Sequence, residues 1–480
     1  MNAKFACRFA PQMLAAMAAF SAPLEAGERT HLPNMLPFPN PGGLAATYST
    51  EGSIDLTGPF FQSLGTNGRS CGTCHQASDG WTVTPGQIRA RFNATDGTDP
   101  IFRTNDGSNS PNADVSTVHA RRSAYSMLLT KGLIRVGIGI PAGAEFELVV
   151  VDDPYDFASA NELSLFRRVL PSTNLKFLST LMWDGRETFK DPAGDCILGT
   201  TNCFASMHFD LADQSNAATT GHAQGSPLTA EQREAIVAFE TTLSTAQVFD
   251  DEAGDLDALG ALGGPKHVSK QPFYFGINDV VSGDYRTGTP FTSVVFNLYD
   301  AWKSLDDRRR GDDLDRDHRR AEARAAVVRG QALFNSKPIQ ITGVKGLNDD
   351  LSVVTLPGTC TTCHDTPNSG NHSIPAPLDI GLTDASRRTP DLPLYTLRHT
   401  QAPFETIQTT DPGRALVTGK WKDIGRFKGP ILRAVAARAP YFHNGSAKDL
   451  DAVVDFYNQR FSLDLTEQER DDLVAFLLTL

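Results

Sequence analysis

The chain has 480 residues, 40% hydrophobic and 21% charged, which at about 100–200 residues per domain suggests two to four globular domains and excludes a disordered or fibrous protein. Lys plus Arg minus Asp plus Glu is 44 − 56 = −12, a balance that repels phosphate backbones and argues against a nucleic-acid partner while leaving a basic protein partner open. The longest apolar run, Met13 to Phe20, falls well short of the ~20 residues of a membrane-spanning helix, so no membrane span is expected and the chain reads as soluble.

At the start of the chain, Lys4 and Arg8 precede that short apolar run, and small residues follow at Ser21, Ala22 and Ala26. Residues 1–26 therefore read as a secretory signal peptide, with a disordered cytosolic N-terminus as the alternative, and the mature chain is expected in the periplasm. Its removal takes Cys7 and leaves six cysteines, an even number that suits an oxidising compartment.

Gly58-Pro-Phe-Phe61 then leads into Cys71-Gly-Thr-Cys74-His75, and Gly330-Gln-Ala-Leu-Phe334 leads in the same way into Cys360-Thr-Thr-Cys363-His364. Two thiols at this spacing can each add to a vinyl group of one haem, with the adjacent His set to coordinate the iron. A thioredoxin-like redox pair or half of a zinc site is the alternative for one such motif, and repetition weighs against both. Two covalently bound haems c are expected, on Cys71, Cys74 and His75 and on Cys360, Cys363 and His364.

Between the motifs, residues 145–151 alternate Phe146, Leu148 and Val150 with Glu145 and Glu147 and read as the best strand in a chain poor in strand signals. Cys196 and Cys203 are spaced for a local disulfide. Residues 228–243 align without gaps to residues 465–480, with eight of sixteen positions identical. Each copy opens on a Thr suited to cap a helix, Thr229 or Thr466, and then spaces Ile236, Phe239 and Leu243, or Leu473, Phe476 and Leu480, along one helical face. The chain is thus built from two similar units, each closed by an amphipathic helix.

These features predict a mainly α fold: two cytochrome c-like haem domains, residues 44–250 and 325–480, with long loops and little β-structure. Residues 251–324 form a connecting segment whose charge-dense part, 306–320, mixes both signs and reads as solvated. All seven Met residues lie at or before Met207, so a sixth ligand for the second iron comes from His372, His399, His443 or a tyrosine. A helix expected from Ser446 carries Leu450, Val453, Val454 and Tyr457 on one face, where Tyr457 is either a core tyrosine or that ligand.

Arg426-Phe-Lys-Gly-Pro-Ile-Leu-Arg-Ala-Val-Ala-Ala-Arg-Ala-Pro-Tyr-Phe-His-Asn-Gly445 and the following Val-Val-Asp-Phe-Tyr457 resemble the C-terminal half of the bacterial diheme cytochrome c peroxidases and their MauG relatives. Met182-Trp-Asp-Gly-Arg186 resembles a segment of their N-terminal half. The resemblance implies a peroxidatic haem on His75, an electron-storing haem on His364, Trp183 between them, and Tyr457 where MauG-type proteins have a tyrosine ligand. It implies hydrogen peroxide as substrate and a periplasmic electron donor such as a small cytochrome c or a cupredoxin. A MauG-like oxidase acting on a protein or organic substrate is the second enzymatic reading, and a diheme electron carrier is the non-enzymatic one.

Three departures accompany the likeness. Where the family places a catalytic Glu, residues 211–224 have none, and His222 is the nearest candidate to move a proton, against the reading of a hydrogen-bonded structural His. No His lies between His75 and His119, so the first iron is expected to be open without prior reduction. The family's Ca²⁺ site maps onto Asn174 and the carbonyls of Arg438 and Pro440, but Arg438 stands where Thr is usual, and a cation there is unfavourable for Ca²⁺ unless it turns away.

Overall fold

The computed structural model describes residues 30–193, 202–304 and 314–480. The signal-peptide reading for residues 1–26, Cys196 and the side chain of Cys203 lie outside the described residues. No helix among the described residues is long and apolar enough to cross a membrane.

The two closing helices span Ala230–Thr242 and Glu467–Leu478. In each, the capping Thr and the residue three places on exchange reciprocal bonds, Thr229 with Gln232 and Thr466 with Glu469, satisfying N–H groups that have no partner within the helix. The buried faces carry the apolar residues that the spacing singles out, including Ile236, Leu473 and Phe476. The helix Leu314–Ser336 packs on Glu467–Leu478 at Gly330, where a Cβ would stand 1.9 Å from the Asp472 carbonyl oxygen, so only glycine admits this approach. Phe296, Tyr299, Trp302, Phe334 and Phe476 share one buried core, so part of the stretch between the repeats is packed against the second repeat.

The mainly α expectation is overturned, because the described residues are 32% helix and 19% strand, the strands lying in five small sheets. Phe146–Asp152 is a strand, and it pairs with Leu394–His399, which in turn pairs with Thr406–Thr409. Leu163–Arg168, antiparallel to Leu133–Ile138, is buried at every position and so shows no polar alternation along the sequence. Leu243–Asp250 starts where the first closing helix ends and pairs with Gly43–Ser49. That partner, some two hundred residues earlier, draws Leu243 out of the helical pattern.

The repeats also differ at their openings. Where the second has the long helix Leu314–Ser336, the first has a single 3-10 turn, Pro59–Phe61. The helix expected from Ser446 spans Leu450–Phe461 because Asp449 caps it, its side chain accepting the Ala452 N–H at 2.9 Å.

Candidate functional site

Both Cys-x-x-Cys-His motifs fold alike. Cys71–Thr73 and Cys360–Thr362 are 3-10 turns, each closed by a reciprocal pair, Ser70 with Thr73 and Thr359 with Thr362. The turn brings the His75 N–H to the Cys71 carbonyl at 3.0 Å and the His364 N–H to the Cys360 carbonyl at 3.2 Å. All four cysteines are free. Burial pushes the thiols of Cys71, Cys360 and Cys363 up to about 12, the reverse of the easily ionised thiolate that a redox pair needs.

Each histidine is anchored through Nδ1, which donates to the Trp81 carbonyl at 3.0 Å in His75 and to the Gly370 carbonyl at 2.6 Å in His364. The bond fixes the tautomer and leaves Nε2 with its lone pair, the arrangement of an iron-ligating imidazole. Burial also holds His75 in the neutral, ligating form, lowering it to about 4.

A cavity of ≈ 260 Å³ opens against the first motif, with Cys71, Cys74 and His75 in its wall. Its lining is mostly apolar but includes Arg69, Arg168, Arg186, Lys428 and Arg438, and Nη2 of Arg438 is buried without a partner. A flat apolar ring carrying two carboxylates suits such a wall, so the residues fit a haem tethered at Cys71 and Cys74.

His222 and Trp183 line the same cavity. His222 Nδ1 lies 2.5 Å from Asp106 Oδ2, and Arg69 Nη1 donates to the other Asp106 oxygen at 2.5 Å. Burial works to raise the Asp106 carboxyl, but its bonds to His222 and Arg69 outweigh that and hold it below the usual range. Sequence reasoning missed Asp106 and Arg69: nothing in Asn105-Asp-Gly or Gly68-Arg-Ser marks them. Glu240, in the same wall, is pushed up to about 8 by burial and is held protonated at neutral pH.

Trp183 is held from three sides. Its Nε1 donates to the Arg168 carbonyl at 2.8 Å, its own carbonyl accepts the Lys428 N–H at 2.9 Å, and its ring meets His443 edge-on at 6.2 Å. Beside it, Arg167 binds Asp411 through Nε at 2.7 Å and Nη2 at 2.9 Å, and Asp184 through Nη1 at 2.5 Å.

Of the ligand candidates for the second iron, His399 is half-buried against Trp421, and His372 is paired with Asp365 at 3.3 Å. His443 is stacked on Phe427 at 4.1 Å. Tyr457 packs in one apolar cluster with Cys360 and Cys363, and burial raises its hydroxyl well above the ordinary tyrosine value.

The residues expected to hold calcium do not fit it. Both ends of the Asn174 amide are taken by Thr245, Nδ2 donating to its carbonyl at 2.9 Å and Oδ1 accepting its N–H at 3.0 Å. The Arg438 carbonyl accepts Arg168 Nη2 at 3.2 Å, so a metal beside Pro440 would have to share or displace bonds already made by both oxygens and would face the Arg168 charge.

No family model matches the chain. It is 31% identical over 168 residues to cytochrome-c peroxidase IdrP1 of a Pseudomonas species, a match covering 31% of this chain and 38% of that protein. It is 41% identical over 78 residues to cytochrome c peroxidase Ccp of Escherichia coli, covering 16% of this chain and 17% of that one. A crystal structure of a MauG-like protein associated with microbial copper homeostasis aligns with 88% of this chain and 85% of its own, at 16% identity and a TM-score of 0.36. The match spans about two fifths of the length of the first of these curated relatives and less of the second. Along the matched residues the chain is similar to the bacterial cytochrome-c peroxidases.

Proposed function

We propose that the protein is a periplasmic diheme c-type peroxidase that reduces hydrogen peroxide to water, with one haem c on Cys71, Cys74 and His75 and another on Cys360, Cys363 and His364. The observation that carries this reading is the His222–Asp106 pair in the wall of the cavity that contains His75. An electron carrier has no use for a proton-handling pair in the wall of a haem cavity. Residues 44–250 and 325–480 are the two haem-bearing units in this reading.

The haem supplies an iron that binds the oxidant and passes electrons. The chain's own residues handle the protons. With Nδ1 engaged by Asp106, His222 has Nε2 left to take the proton from one peroxide oxygen and return it to the other. Asp106 stabilises the imidazolium formed in between, and Arg69 fixes the Asp106 carboxylate in place. The overall change is H₂O₂ plus two protons and two electrons to two water molecules. The electrons come from a reduced donor protein such as a small cytochrome c or a cupredoxin. Trp183, fixed by the Arg168 carbonyl, would relay electrons toward the His364 side, where Tyr457, packed in one cluster with Cys360 and Cys363, would help to hold the second haem's iron.

Tyr457 beside Cys360 and Cys363 also favours a second reading, a MauG-like oxidation of a protein or organic substrate. One experiment separates the three readings: haem-loaded protein is mixed, without pre-reduction, with hydrogen peroxide and reduced cytochrome c. Rapid cytochrome oxidation, together with one five-coordinate high-spin iron in the resting spectrum, supports the peroxidase. Peroxide consumption without cytochrome oxidation favours the MauG-like reading, and two six-coordinate low-spin irons with no peroxide reaction favour the carrier.

A further inference from the structure

Two buried arginines meet where the first repeat touches the second. Arg168 Nη1 donates to the carbonyls of Lys131 at 2.9 Å and Gly132 at 3.1 Å, and Nη2 donates to those of Val83 at 2.7 Å and Arg438 at 3.2 Å. Arg438 Nε donates back across the seam to the Gly80 carbonyl at 3.2 Å. Four main-chain oxygens gathered on one buried charge are the kind of donor set that a hard cation takes from a protein.

The backbone is shaped to admit these side chains. Gly132 has φ +62°, and a Cβ there would stand 2.0 Å from Arg168 Nη1. Gly80 has φ +63°, and a Cβ there would stand 3.2 Å from Arg438 Nε. Asp79 favours the charge on Arg168 without forming an ion pair, its Oδ1 accepting the Thr84 hydroxyl at 2.9 Å. The hydrogen bonds of the Arg168 guanidinium thus go to main-chain carbonyls, with the Asp79 charge acting at longer range. A divalent ion added here would face two buried guanidinium charges and find its carbonyls already in use.

We propose that Arg168 and Arg438 form a built-in cation at this seam, joining the two repeats as calcium does in the proteins that the chain resembles, and that the assembly needs no metal. A guanidinium suits the task because its planar fork carries a permanent charge and several donors in fixed directions. The peroxidase reading is not a premise of this proposal.

The test uses the haem-loaded full chain, stripped with EGTA and then melted with and without millimolar CaCl₂. The melting temperature is expected to stay within about 1 °C, and elemental analysis of protein purified without chelator is expected to find no stoichiometric calcium. A calcium-dependent rise of more than about 2 °C, or one calcium per chain, overturns the proposal. Arg438→Thr keeps the carbonyl and removes the charge, so it is expected to melt lower than the parent and to acquire a calcium-dependent rise. An Arg438→Thr protein that melts like the parent and ignores calcium also overturns it. Should that variant fail to fold, the calcium titration of the parent still decides.

Discussion

His222 and Asp106 stand 2.5 Å apart, Nδ1 to Oδ2, with the histidine side chain 42% exposed and the aspartate side chain only 9%. The pair thus has a wet end and a dry end. Arg69, with a side chain 4% exposed, closes the dry end, so the negative charge is fixed where water cannot screen it.

His222→Gln is expected to slow the reaction with peroxide by about 10²–10⁴-fold, the usual worth of a positioned acid–base group. Asp106→Asn is expected to act in the same direction with a smaller loss, because the proton acceptor remains. Stopped-flow mixing of the haem-loaded variants with peroxide measures both, and an unchanged rate in His222→Gln removes this histidine from the chemistry.

Trp183→Phe tests the relay. The substitution leaves the Arg168 carbonyl without its indole donor, at a cost of about 1–3 kcal/mol in urea unfolding. Single-turnover reaction with peroxide is expected to survive, while steady-state oxidation of reduced cytochrome falls, since only the second requires electrons from the His364 side. Equal losses in both assays would assign Trp183 a purely structural role.

The parts of this site that were legible in the sequence are those whose chemistry is local. Cys71, Cys74 and His75 are held by one turn, and Thr229 and Thr466 bond to residues three positions on, so spacing alone exposes them. Asp106 meets His222 across 116 residues of chain, and no periodicity reports such a meeting. The same holds for Asn174, whose amide looked available to a metal until Thr245, 71 residues later, closed on it. Strand content was underestimated for a related reason: Leu163–Arg168 is covered on both faces, which erases the alternation that a half-exposed strand displays.

The Arg167 cluster predicts a pH dependence of stability. Burial opposes ionisation of Asp184, but Arg167 and then Arg186 override it and hold the carboxyl down to about 2. A carboxyl depressed on folding contributes stability that is complete above its unfolded value, near 3.8, and is lost as pH falls toward 2. Urea midpoints are therefore expected to drop between about pH 4 and pH 2. At pH 7, Asp411→Ala leaves Arg167 short of a partner in a dry site and is expected to cost about 3–5 kcal/mol.

Tyr457→Phe separates a ligand from a core residue. The ring packs beside Phe461 and Phe456, and removing one oxygen conserves volume, so the cost in stability is expected to stay below about 1.5 kcal/mol whichever role it has. The spectra divide the two cases. A buried phenol with no metal partner stays protonated, and its loss is silent in the visible absorption of the haem-loaded protein. A phenolate on the second iron stabilises the ferric state, because a hard anionic oxygen favours the more positive metal. Its removal is then expected to raise that iron's reduction potential and change its spin state, while the spectrum of the iron on His75 stays as it was. Redox titration followed optically reads both irons in one experiment, and superimposable titrations of Tyr457→Phe and the parent would return Tyr457 to the core.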